Sequence, residues 1–192
     1  AYAVQFDSRE GTGASTVYLA MGDILSLPES ERTGYDLSGW YTVPGGASVN
    51  GARVHDGSAF SAPGDLILYA GWSPKSYTVT YDPDSEGTAG LESETVTYTE
   101  DFTLAVPVSD DTSLSFVGWY DAANGQGTQL TDSEGKALAP WSLAQDVTVY
   151  PYWVSIFEFT MQEEGAYAGT YSVVATNEAA RVSRVVIPEK YN

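Results

Sequence analysis

Cysteine is absent from the chain, which excludes a disulfide scaffold and a thiolate metal site and leaves each domain to be held by its apolar core. A cysteine-free chain of this kind fits a secreted bacterial protein. Positive charge is nearly as scarce. Lys and Arg total 8 against 26 Asp and Glu, a formal net charge of -18. Such a surface repels phosphate backbones and anionic headgroups, so neither nucleic acid nor an acidic membrane is expected as a partner. Arg181, Arg184 and Lys190 lie near the end, and the first 155 residues hold only Arg9, Arg32, Arg53, Lys75 and Lys136. No run of apolar residues reaches the length of about 18 that a membrane span needs. The start at Ala1-Tyr2 carries neither Met nor a signal peptide, and a preceding stretch of chain is expected.

Aromatic residues are plentiful instead: 5 Trp, 14 Tyr and 6 Phe within a hydrophobic fraction of 43%. That is enough apolar surface for packed cores, so this is not a disordered chain. A length of 192 residues accommodates one large domain or several small ones, and internal repetition decides between them. Tyr2-Ala-Val4-Gln-Phe6-Asp7 returns as Tyr77-Thr-Val79-Thr-Tyr81-Asp82, each alternating apolar and polar with period two before a turn. Leu25-Ser-Leu27-Pro28 matches Leu104-Ala-Val106-Pro107, read as a short strand that proline closes. Leu37-Ser-Gly39-Trp40-Tyr41 matches Phe116-Val-Gly118-Trp119-Tyr120, and Asp65 to Trp72 matches Asp146 to Trp153. The order never changes, and the offsets rise only from 75 to 81 residues.

Two collinear, mostly β units are therefore expected over 1–75 and 76–155, with a short helical turn over 137–144. Leu68, Ala70 and Trp72 alternate onto one strand face, as do Val149, Pro151 and Trp153, with Tyr69 and Tyr150 on the other. Leu37 and Trp40 are three apart, which a regular strand would place on opposite faces; a bulge at Gly39, and likewise at Gly118, reconciles them. A unit of about 75 residues is near the lower limit for an independent core. The paired Trp40, Trp72, Trp119 and Trp153 are accordingly read as core anchors and as largely buried. Trp141 has no tryptophan partner in the first unit and is expected to be the most exposed.

The sequence Tyr-x-Val-x-Phe-Asp, turn, Leu-x-Leu-Pro, Gly34-Tyr-x-Leu-x-Gly-Trp-Tyr41, then Leu68-Tyr-Ala-x-Trp72 resembles the Listeria-Bacteroides repeat, also called the internalin B-repeat. The resemblance covers about four fifths of the chain. It implies two tandem small β-grasp-like domains, a bacterial cell-surface location, and a spacer or adhesive role. The second unit departs from the pattern: Leu114 replaces the tyrosine of Gly34-Tyr35, and Pro151-Tyr152 replaces Ala-Gly, which predicts local distortion there. The tail, 156–192, repeats neither unit. It reads as extended stretches over 156–160, 167–175 and 181–187, the start of a third module packed on the second unit or on a neighbouring molecule, with an apolar face exposed. Its ending, Val185 to Asn192, is similar to the lead-in of BspA-type leucine-rich repeats, which implies that such an array follows.

Catalytic patterns are weak. His55 beside Asp56 lies in a turn composition, and no second histidine exists to share a metal or a triad. Ser133-Glu-Gly-Lys136 fits S-x-x-K but holds a glycine that argues for a turn. Gly125-Gln-Gly127 is half of a dinucleotide fingerprint without its βαβ setting. Asp82-Pro-Asp84-Ser-Glu86-Gly87 places oxygens at alternate positions, like the first half of a calcium loop, and is read either as a calcium turn or as a solvated acidic turn. No cofactor is expected. The favoured reading is a non-enzymatic surface spacer, stalk or adhesive module whose partner is a protein or glycan on a host or neighbouring cell. The alternative is a carbohydrate-binding module using surplus aromatics, Trp141 and Tyr152. An enzyme ranks last; it would be a hydrolase with two carboxylates across a cleft.

Overall fold

A computed structural model describes residues 1–163 and 171–177. The chain divides into two compact units, Ala1–Lys75 and one that begins at Ser76. The first holds β1 (Tyr2–Asp7), β2 (Ser15–Leu19), β3 (Tyr35–Tyr41), β4 (Arg53–Val54) and β5 (Leu66–Pro74). The second holds β6 (Ser76–Tyr81), β7 (Glu94–Thr97), β8 (Leu114–Tyr120) and β9 (Val147–Ser155), followed by the hairpin strands β10 (Phe157–Met161) and β11 (Tyr171–Ala175). The fold is mostly β, as two tandem sheet domains and a short C-terminal sheet.

The two sheets share one topology. The first runs β2-β1-β5-β3-β4, and the second β7-β6-β9-β8. In each, the opening hairpin is antiparallel, the first strand lies parallel to the last, and the last pairs antiparallel with the strand that carries Gly-Trp-Tyr. This is a β-grasp arrangement in which coil replaces a connecting helix over 20–34 and 98–113. Leu25 and Leu104 drop from that coil into the cores. The Leu-x-Leu-Pro segments are thus coil plugs rather than strands. Trp40 Nε1 donates to the Pro28 carbonyl at 3.0 Å, and Trp119 Nε1 to that of Ala105 at 2.8 Å. Each bond satisfies a buried indole N–H and fastens the plug. The second strand of each unit, β2 and β7, was not among the expected strands.

Alternation builds the cores. Val4 and Phe6 are buried between exposed Gln5 and Asp7, as Val79 and Tyr81 are beside exposed Thr80. Trp40 and Trp119 are 1% and 0% exposed, and burying an indole of this size contributes roughly 4–5 kcal/mol of transfer free energy. Trp72 and Trp153 are half-buried at the core margins. Register shifts between Leu37 and Gly39, and between Phe116 and Gly118, place the expected bulge in both units. The glycines there have φ of 141° and 155°, a region that residues with a Cβ avoid.

Of three further expectations, two are overturned and one is narrowed. Residues 137–144 form no helix: Ala137 N–H donates to the Phe102 carbonyl and Leu138 N–H to that of Leu130, while Pro140 has no N–H to give. At Pro151-Tyr152 the departure is confined to one side: β8 and β9 keep the register of β3 and β5, while the parallel ladder stops at Tyr81 beside Val149, one pair short of the counterpart of Asp7 beside Tyr69. The Asp82 N–H still meets the Val149 carbonyl at 3.0 Å, but Pro151 has no N–H to return to the Asp82 carbonyl, so that one bond of the parallel ladder is lost. Third, Trp141 is 2% exposed. Its indole meets Phe102 edge to face at 5.2 Å and donates to the Leu143 carbonyl at 2.6 Å.

At the second unit's end, Ile156 and Phe157 are buried with Val117 and Val154 on the sheet face opposite the main core. Thr176 N–H donates to the Ile156 carbonyl at 3.0 Å, which ties the hairpin back to this cluster. Met161, Tyr171, Val173 and Val174 remain exposed. The stretch expected over 181–187 and the ending Val185 to Asn192 lie outside the described residues.

Candidate ligand groove

Each unit opens a groove at the same place, where its parallel ladder ends. In the first unit the pairing runs out at Asp7 opposite Tyr69. The chain then turns through Arg9 and Glu10, both at positive φ, with Arg9 N–H donating to Asp7 Oδ1 at 2.9 Å. β5 continues beside β3 alone, leaving a notch of about 560 Å³ walled by this turn, Arg32, Pro44 and Tyr69. In the second unit Asp82 and Tyr150 take the places of Asp7 and Tyr69. The groove is about 340 Å³ and is lined by Asp82, Glu86, Asn124, Tyr150, Tyr152 and Trp153, among others.

The two grooves differ in chemistry. The first contains its own cations: Arg32 pairs with Glu10, and its guanidinium lies 4.1 Å from the centre of the Tyr35 ring. Among the described residues the second has no basic residue in its wall. Asp82 accepts the Ser85 hydroxyl at 2.6 Å, and Glu86 accepts that of Ser109 at 2.7 Å. Tyr152 meets Tyr120 edge to face at 5.5 Å, and Gly125 approaches its ring so closely that a Cβ would lie 2.7 Å away. In the first unit the position of Tyr152 is Gly71, whose missing side chain makes room for Tyr41; a Cβ there would sit 2.5 Å from that ring. Replacing Gly71 by Tyr152 and keeping Tyr120 therefore adds an aromatic wall. The Trp153 indole N–H donates to the Glu86 carbonyl at 3.2 Å, and its ring rests against Gly87.

Of the residues singled out in the sequence, Tyr152, Asp82 and Glu86 meet at this groove, and Trp153 joins them from the core margin. Trp141 does not; it is a core residue. Asp82, Asp84 and Glu86 do not converge on one point, and among the described residues no three carboxylates or imidazoles are gathered to hold a metal ion. His55 is exposed, and its neighbour Asp56 faces the Leu27 N–H at 2.8 Å instead of the imidazole. Gly135 and Lys136 close a turn on Asp132, whose carboxylate accepts the Lys136 N–H at 2.9 Å. Gly127 sits in a loop that Asp121 fastens through the Thr128 N–H at 2.7 Å.

Two positions escaped the sequence reading. Tyr150 lines the groove, although alternation showed only that it faces away from the core. Asp65 and Asp146 precede the last strand of each unit and accept the N–H of Ala3 and of Thr78, both at 2.8 Å, clamping the parallel pair at its start. Their alignment in the two repeats was the available signal.

A family model for the Listeria-Bacteroides repeat domain matches residues 2–71 and again 77–150. Internalin H of Listeria monocytogenes is 31% identical over 140 residues, covering 72% of this chain and 23% of that protein. A Gly-rich protein of Evansella cellulosilytica, provisionally named a membrane protein, is 26% identical over 191 residues, 98% of this chain and 20% of its own length. The chain spans about a fifth of the length of these curated relatives. Among the described residues no helix is long and apolar enough to cross a membrane. The double match falls on the two sheets that share one strand order, one bulge and one set of buried anchors, and the chain belongs to the Listeria-Bacteroides repeat domain family, as two tandem copies.

Proposed function

We propose that this chain is a non-catalytic repeat module of a larger bacterial cell-surface protein, acting as a spacer or as an adhesive region. The observation that carries the reading is what the two copies share. Topology, bulge and buried tryptophan recur, whereas Arg9 and Arg32 wall the first groove and, among the described residues, no basic residue walls the second. A repeated scaffold with variable surfaces is how stacked modules extend and diversify a surface protein. The relationship to internalin H and to a protein named for a membrane supports an extracytoplasmic setting. Antibody raised against the chain tests this on intact source cells. Labelling without lysis is expected, and labelling only after lysis overturns it.

A carbohydrate-binding role is the second reading, favoured by Tyr150, Tyr152 and Trp153 in one groove. A glycan panel probed with the wild-type chain and with Tyr152→Ala tests it. Trp141→Ala is no longer an informative probe, since that ring is in the core.

A further inference from the structure

We propose that β2, the outer strand of the first sheet, pairs with β2 of a second copy of this chain, antiparallel and about a two-fold axis at Val17. The proposal goes beyond the spacer or adhesive reading, which stands whatever the outcome.

Backbone alternation identifies the groups that β2 leaves over. The Ala3 N–H donates to Asp65, just before β5, so Ala3, and with a period of two Gln5 and Asp7, turn their N–H and C=O toward β5. Tyr2, Val4 and Phe6 turn theirs toward β2, where they lie opposite Leu19, Val17 and Ser15. Those three residues of β2 are used inside the sheet, while Thr16 and Tyr18 point their N–H and C=O away from it. β2 ends the strand order on that side, and the next outward N–H, that of Ala20, donates to Asp23 Oδ2 at 2.7 Å. Thr16 is exposed, and Tyr18 is 73% exposed.

The outward groups are self-complementary. A two-fold axis at Val17 sets Thr16 of each copy opposite Tyr18 of the other, and each such pair exchanges both of its backbone bonds. The threonine and tyrosine side chains then meet on the outer face, a cross-strand combination that stabilises sheets.

Charge selects the partner. With a net charge of -18, two copies repel one another except where their surface is neutral, and no charged residue lies from Gly11 to Gly22. Neither proline nor lysine, the usual guards of an edge strand, interrupts that stretch. The second unit provides the contrast. Its edge strand β7 points Thr95 and Thr97 outward by the same rule, but the Thr97 carbonyl already accepts the Glu100 N–H at 3.1 Å. A two-fold axis at Val96 would also bring Glu92 of one copy against Glu100 of the other. Two five-residue strands fall short of the ~1,200 Å² that a stable interface buries, so the pairing through β2 is weak and forms at high local concentration.

The test follows the isotope-labelled full chain at rising concentration, up to about 1 mM, by sedimentation and by amide NMR. The mass is expected to climb from monomer toward dimer while the Thr16 and Tyr18 amide signals move and those of Thr95 and Thr97 stay. In a mixture of differently labelled copies the Val17 α-protons of the two chains should be in contact, because a pair without backbone bonds of its own brings the α-carbons closest. Thr16→Pro removes an outward N–H and spares the bonds to β1; it should weaken dimerisation at least about tenfold, while an unmoved Trp40 indole signal reports an intact first unit. Should Thr16→Pro unfold, Tyr18→Glu decides, since it sets an exposed carboxylate beside the axis in each copy and should weaken the dimer by a similar factor. The proposal is overturned if the chain stays monomeric, if Thr95 and Thr97 move as much as Thr16 and Tyr18, or if the folded variant associates like the wild type. It is overturned as well if the Thr16 and Tyr18 amides are already protected from exchange in dilute solution, which would mean an edge paired within the chain.

Discussion

Trp141 stands in the second unit where Phe60 stands in the first. The two are 81 residues apart, the offset that also separates Trp72 from Trp153. Each is held by a reciprocal pair of backbone bonds to the turn after the second strand. The Gly22 N–H donates to the Phe60 carbonyl at 2.9 Å, and the Phe60 N–H to that of Asp23 at 2.7 Å. The Thr99 N–H donates to the Trp141 carbonyl at 2.8 Å, and the Trp141 N–H to that of Glu100 at 3.0 Å. Both rings plug the core from the irregular segment before the last strand.

Truncating this plug is expected to be costly. Trp141→Ala should destabilise the second unit by about 3–5 kcal/mol, and Trp141→Phe, which restores the first unit's residue, by no more than about half of that. Urea unfolding followed by intrinsic fluorescence measures both. Wild-type stability in the alanine variant, together with lost glycan binding, would return Trp141 to the surface role first expected of it.

The two bulge glycines should differ in tolerance. A Cβ on Gly118 would lie 2.1 Å from the Thr131 carbonyl oxygen, which is backbone and cannot step aside; on Gly39 the nearest atom is Arg53 Nε at 2.6 Å, part of a movable side chain. Both substitutions carry a positive-φ penalty of about 1–3 kcal/mol. Gly118→Ala should cost at least about 2 kcal/mol more than Gly39→Ala. Equal losses in calorimetry would refute the distinction.

Alkaline pH should weaken the second unit through Tyr81. Its hydroxyl is buried, donates to the Glu94 carboxylate and accepts the Ala105 N–H at 2.9 Å. Burial first, and then the bond to Glu94, hold the phenol protonated well above its ordinary value of 10.0. The folded state therefore keeps a proton that the unfolded state releases, so this contribution is complete below about pH 10 and is lost as pH rises beyond it. Tyr81→Phe should lower stability at neutral pH by about 1 kcal/mol and flatten the decline above pH 10. Parallel pH profiles for the two proteins would show the decline to have another origin.

The aspartate clamps should matter modestly. Removing the acceptor with Asp65→Ala or Asp146→Ala frees an exposed N–H that water can solvate, so each should cost about 1 kcal/mol, and the corresponding asparagine, which keeps an acceptor oxygen, less. Amide exchange at Ala3 and Thr78 should accelerate in the alanine variants. Unchanged exchange at both sites would remove the clamp role.

The amino-acid order by itself determined the repeat, the mostly β class, the direction in which Val4, Phe6, Val79 and Tyr81 face, and the bulges at Gly39 and Gly118. These follow from local periodicity and from the φ a glycine permits, which are written in adjacent residues. It did not determine that the first strand of each unit lies parallel to the last, that Leu25 and Leu104 plug the core from coil, or that Trp141 answers Phe60. Those residues lie in segments without a period, and their partners are dozens of positions away. The groove depends on the same distant pairing. Asp82 and Tyr150 become neighbours only when the parallel ladder brings 79–81 beside 147–149, and only a packed sheet fixes which side chains line the space where that ladder stops.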